Sequence, residues 1–200
     1  MEFRLTYEGK LLSHRETGDS EKREARALHK HEIRRRFRLQ LKCLWENNHT
    51  LKSLAESRID GTGQPTRYLE WAAQNYERHG FRWVPLVTQR MSLICKIDVL
   101  MLRCGLPGDA LGDIDNRLKT IFDALKMPDD HPNALGGAVP QIGEDPFFVL
   151  LEDDRLITHV SVETDTLLEP VKNDASDARL VLTVRVLPYR SGIGNLDFVA

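Results

Sequence analysis

The apolar residues of this chain change their spacing near its middle, and that change limits what it can fold into. Between residues 25 and 47, Ile33, Phe37, Leu41, Leu44 and Trp45 recur at helical intervals, whereas Leu93, Cys95, Ile97, Val99 and Met101 fall on every second position. A period near 3.6 buries one stripe of a helix, and a period of two buries one face of a strand. A chain carrying both must lay helices against a sheet.

The same logic places the other elements. Phe3, Leu5 and Tyr7 predict a short strand over 2–8. Short helices are expected at about 49–58 and 66–79, with Gly80 in the position of a helix-ending glycine. A helix begins near Asn116 and buries Leu118, Ile121, Phe122 and Leu125, and Pro128 ends it. Residues 127–146 hold four prolines and three glycines and read as a long loop or insertion. Strands follow at 147–151, 155–163 and 178–189. The order predicts an α+β fold: a small, mostly antiparallel or mixed sheet with helices packed on one face. At 200 residues the chain suits a single domain, divided into a basic helical region (20–80), a core of about 91–165 and the 127–146 insertion.

No apolar run approaches the roughly 20 residues that span a bilayer, so no membrane partner is expected. The N-terminus lacks the pattern of an export signal, and Cys43, Cys95 and Cys104 have no metal-type spacing. They read as reduced thiols of a cytoplasmic protein, with Cys95 in the core. The net charge of −2 conceals a division: residues 1–100 carry 19 basic and 13 acidic side chains, and residues 101–200 carry 9 and 17. The densest positive run lies on the first long helix, whose face opposite the apolar stripe carries Arg34, Arg35, Arg36, Arg38 and Lys42. Such a face is a candidate nucleic-acid contact.

The acidic half contains GDIDNRLKTIFDAL (112–125). Asp113 and Asp115 point the same way on extended backbone just before a helix, and Lys119 follows Asp115 by one turn. Paired carboxylates raise each other's pKa unless a cation lies between them. Mg²⁺ prefers oxygen ligands and is commonly held by one or two carboxylates, so the pair is a candidate Mg²⁺ site. Glu152, Asp153 and Asp154 supply further acids at a turn between strands.

These segments, DIDNRLKTIFDAL followed by LEDDRLITHVSVE, resemble the RusA family of Holliday-junction resolvases. The family pattern is D-x-D-N-x-x-K, then D-A-L, then an Asp-Asp pair entering a strand, and every element is present in that order within about residues 91–165. In this chain the 127–151 segment separates D-A-L from the Asp-Asp pair, which a short link normally joins. The resemblance implies a metal-dependent endonuclease acting as a homodimer on four-way DNA junctions, in recombination and repair. It implies Asp113, Asp115 and Asp154 as metal ligands, Asp153 as a supporting acid and Lys119 as an active-site lysine. Mg²⁺ is the implied cofactor, with Mn²⁺ as a substitute. Other branched DNA or RNA, or a relative that binds without cleaving, are the alternative expectations.

Overall fold

The computed structural model describes residues 1–12, 19–60, 65–104, 114–169, 176–190, 192, 195 and 198. In chain order the elements are β1 (Glu2–Lys10), α1 (Ser20–Asn47), α2 (His49–Glu56), β2 (Arg58–Asp60), β3 (Pro65–Arg67), α3 (Tyr68–Asn75), β4 (Glu77–Arg78) and β5 (Phe81–Val87). They continue with β6 (Leu93–Arg103), α4 (Ile114–Leu125), β7 (Phe147–Leu151), a 3₁₀ turn (Asp154–Leu156), β8 (Ile157–Thr166) and β9 (Asp177–Pro188). The architecture is mixed α+β. One sheet has the order β1-β9-β6-β8 and another the order β4-β5-β7, and β2 pairs with β3. The β6–β8 and β5–β7 pairings are parallel and the others antiparallel.

Alternation builds the four-stranded sheet. Leu5 on β1, Cys95, Ile97 and Val99 on β6, and Leu182, Val184 and Val186 on β9 turn to one side and are buried. Ile33, Phe37, Leu41 and Trp45 of α1, with Ile121 and Leu125 of α4, close the same core. Each fully buried Leu or Ile here contributes about 1.5–3 kcal/mol. Burial pushes the Cys95 thiol up to about 12, which keeps it protonated. Helix α1 starts earlier than its apolar stripe requires because Asp19 caps it, accepting a bond from the Lys22 amide at 3.0 Å.

Two expectations are corrected, and one strand was not foreseen. Gly80 does not end a helix: α3 stops at Asn75, and His79 and Gly80, both with positive φ (52° and 76°), form the two-residue turn joining β4 to β5. Two positive φ values in succession match the twist of a tight hairpin. The strand β5 was not legible because FRWVPLV does not alternate; it is buried on both faces, apart from Arg82. The predicted strand over 155–163 is present as β8, but its alternation does not bury a face: no residue of β8 is buried.

The 127–146 insertion contains neither helix nor strand, yet it is a packed layer. Met127 and Leu135 cover Phe81, Trp83, Phe147 and Val149 on the face of β5 and β7 that points away from the main core. Gly136, at φ +58°, brings this segment against α1, where a Cβ would stand 2.3 Å from the Glu24 carbonyl oxygen and 2.5 Å from the Leu28 nitrogen. His31 of α1 enters the same cluster among the rings of Phe81, Trp83 and Phe147, at centroid distances of 5.1, 6.3 and 5.5 Å. Burial, reinforced by Arg34 and Arg35, pushes the His31 imidazole down to about 3 from its ordinary 6.5.

Two outcomes follow from this layer. Gly136→Ala meets helix backbone as well as an unfavourable φ, and should cost about 3 kcal/mol or more in denaturant melts; a loss below 1 kcal/mol would show that the segment does not dock on α1. His31 binds a proton in the unfolded chain before it does so in the folded one. Its contribution is therefore intact above the unfolded pKa and is lost as pH falls from 6.5 toward about 3. His31→Phe should flatten the pH dependence of stability across that window, by about 1.4 kcal/mol per pH unit at most; an unchanged slope would place the imidazole in contact with water.

Candidate functional site

Helix α4 begins at Ile114, so Asp113 lies outside the described residues and Asp115 is in the first turn. Asp115 is exposed, and its Oδ1 accepts a bond from the Asn116 amide at 2.6 Å. A carboxylate here is favoured by the positive end of the helix. Lys119, four residues on, is also exposed and shares that face. The opposite side holds the helix in place: Ile121, Ala124 and Leu125 are buried, and the Thr120 hydroxyl donates to the Leu12 carbonyl at 2.9 Å.

The other predicted acids follow β7. Asp153 caps the 3₁₀ turn; its Oδ1 accepts from the Arg155 amide at 2.9 Å and from Arg155 Nε at 2.8 Å. The guanidinium of Arg155 holds the Asp153 carboxyl down to about 2. Asp154 points instead at α4, where its Oδ2 accepts from Lys126 Nζ at 2.9 Å. Lys126 Nζ lies 4.0 Å from Asp123 Oδ1, and Asp123 Oδ2 takes Lys30 Nζ of α1 at 3.0 Å. Lysine and aspartate thus alternate along Lys30, Asp123, Lys126 and Asp154, beside an open cavity of about 480 Å³ between α1, α4 and the insertion. Glu152 Oε2 accepts from the Gln89 amide at 2.9 Å.

The structure therefore brings Asp115 and Lys119 together at the start of α4, and Asp154 to its last turn. The eight residues from Asp115 to Asp123 advance about 12 Å along the axis. Two ligands of one Mg²⁺, each about 2.1 Å from the ion, lie within about 4 Å of each other. Asp115 and Asp154 supply the right donor chemistry, hard and partly exposed oxygens, but as placed they are not one ligand set. Among the described residues no group of three His, Cys, Asp or Glu side chains is arranged to hold an ion.

The basic face of α1 also divides. Arg34 is buried: Nη2 donates to the Asp123 carbonyl at 2.5 Å and Nε to the Lys126 carbonyl at 3.0 Å, which satisfies the open end of α4. Burial lowers its pKa to about 10, so it stays charged at neutral pH. Arg35 forks onto Glu144 at 2.8 and 3.1 Å and donates to the Val139 carbonyl at 3.0 Å. Arg38, also buried, donates to the Gly143 carbonyl. Arg35 and Arg38 fasten the insertion to α1 and Arg34 fastens the end of α4, so the face expected to contact nucleic acid is partly an internal interface. Arg36 remains exposed, and Lys42 is half-exposed, 3.8 Å from Glu46.

Sequence reasoning missed Lys126 and Lys30. The signal was present in Asp123 and Lys126 at i and i+3, but their partners come from other elements. It also missed a polar cluster on the outer face of the four-stranded sheet, where Asp98 accepts bonds from Ser161 and Arg185 and His159 Nε2 lies 3.8 Å away. The Ser161 bond, first among these, lowers the Asp98 pKa. Of the three tryptophans, Trp45 and Trp83 are buried, and Trp71 lies under the Arg90 guanidinium at 4.1 Å. Among the described residues no helix is long and apolar enough to cross a membrane. No family model, curated protein or solved structure matches this chain.

Proposed function

We propose that this chain is a Mg²⁺-dependent, structure-selective endodeoxyribonuclease of the RusA type, resolving four-way DNA junctions as a homodimer. One observation carries the reading: the D-x-D-N-x-x-K motif opens α4 with Asp115 and Lys119 exposed on one face. Phosphodiester hydrolysis asks little else of a protein than positioned charge.

In this reading Asp113 and Asp115 would hold the ion, and Asp154, at the other end of α4 as placed, would join them only after leaving Lys126. The bound Mg²⁺ supplies charge stabilisation at the phosphate and a lowered pKa for bound water. Lys119 places a cation against the phosphate oxygens where negative charge grows. Lys126 neutralises Asp154 in the absence of an ion and must release that carboxylate when one is held. Arg36 and Lys42 contact backbone phosphates, and Arg34, Arg35 and Arg38 position the helix that carries them. Flaps, other branched DNA or RNA are substrates of the same chemistry.

The Asp154–Lys126 ion pair, at 2.9 Å, favours a second reading in which the chain binds nucleic acid without cleaving it. Both readings meet in one assay with labelled junction, flap, duplex and single strand, each with and without Mg²⁺. The nuclease reading predicts Mg²⁺-dependent junction cleavage, reduced about a hundredfold or more by Asp115→Asn or Asp154→Asn with the fold intact. Junction binding without cleavage selects the second reading. Metal-independent cleavage by the double variant would remove the proposed site.

A further inference from the structure

The edge strand β8 is unusual in its surroundings. It closes the sheet at one end, parallel to β6, with Val160 beside Ile97 and Val162 beside Val99. Side-by-side residues in a ladder share a face, so Val160 and Val162 lie on the core side. Ile97 and Val99 are 0% and 2% exposed, yet Val160 and Val162 are 40% and 38% exposed. The opposite edge differs: β1 buries Leu5 at 1%. Ile157–Thr166 has no proline and no lysine in ten residues, and its edge-blunting features are Glu163, Asp165 and the register shift opposite Thr158.

The sequence of β8 complements itself. Turned antiparallel onto a second copy about a two-fold axis at Ser161, it sets Val160 opposite Val162 twice on the core side. The same register sets His159 opposite Glu163 twice on the outer side, and Thr158 opposite Thr164 twice. Apolar and Thr–Thr pairs are favourable across antiparallel strands, and an imidazole can donate a hydrogen bond to a facing carboxylate. Moving the axis to residue 160 sets Ile157 against Glu163 and Thr158 against Val162, and moving it to 162 sets Val160 against Thr164. Only the Ser161 register matches both valine pairs and both His–Glu pairs, and it leaves its mismatch, Ile157 opposite Asp165, at the ends of the ladder.

We infer that two copies of this chain pair through β8 in the Ser161 register, joining their sheets into one of eight strands. The inference stands on the exposed edge and its self-complementarity, not on the nuclease reading. A two-fold contact of this kind is isologous and closes on itself, so it yields a dimer and not a fibre.

Sedimentation of the full chain over a concentration series, with two sets of variants, tests it. Val162 is exposed in one copy and covered in the pair, so Val162→Lys should leave the thermal melt of the isolated chain unchanged and weaken association about tenfold or more. In a Cys43→Ser, Cys104→Ser background, Ser161→Cys should oxidise to a covalent dimer. Residues directly opposite lie about 4.5 or 5.5 Å apart at Cα, and either separation suits a disulfide. Thr164→Cys, far from its own copy in this register, should not cross-link. A chain monomeric at every concentration, a Val162→Lys dimer of full strength, or equal cross-linking at 161 and 164 would each overturn the inference.

Discussion

The guanidinium of Arg34 reaches from the middle of one helix to the open end of another, and the rest of the arrangement depends on that contact. The last carbonyls of α4 have no partner within their own helix, and Arg34 supplies two donors to them. Arg35 and Arg38 extend the same logic along α1, taking Glu144 and the carbonyls of Val139 and Gly143. A buried guanidinium left without such acceptors would cost several kcal/mol. The arginines and the insertion therefore need each other. Once docked, the insertion covers the second face of β5 and β7, which allows FFVLL to be apolar throughout and FRWVPLV to be so apart from Arg82.

This mutual need explains what the sequence could and could not reveal. Periodicity exposes an element that buries one face, so β1, β6, β9 and the stripes of α1 and α4 were legible. It missed β5, which is buried on both faces, and it found β8 without revealing that neither of its faces is buried. The arginines were misjudged for a related reason. Consecutive charges on a helix ordinarily mean a solvated face, and nothing local tells a buried arginine from an exposed one when its acceptors are carbonyls about a hundred residues away. Gly80 suited a helix end as well as a hairpin; the positive φ of His79 beside it, invisible in sequence, decided between them.

The candidate site was legible in part. The four-residue spacing set Asp115 and Lys119 on one exposed face, although Asp115 lies in the first turn of α4 and not on the extended backbone expected before it. The position of Asp154 was not, because it depends on how the chain returns through the insertion: Lys126 and Leu151 pair across a parallel bridge, which sets the turn after β7 beside the last turn of α4. Asp154 of that turn meets Lys126 there, while Asp153 takes Arg155. On α1, Lys30, Arg34, Arg35 and Arg38 are paired internally, so the side chains left facing solvent there are fewer than composition suggests.

Native-state hydrogen exchange on Arg34→Met tests most directly whether α1 holds the insertion and the end of α4 through its arginines. A buried bond to a charged group contributes about 1.5–3 kcal/mol, so amides over 126–144 should exchange about tenfold faster or more while β6 and β9 keep their protection. Unchanged protection over 126–144, with nucleic-acid binding nonetheless weakened, would contradict the account and return Arg34 to the surface.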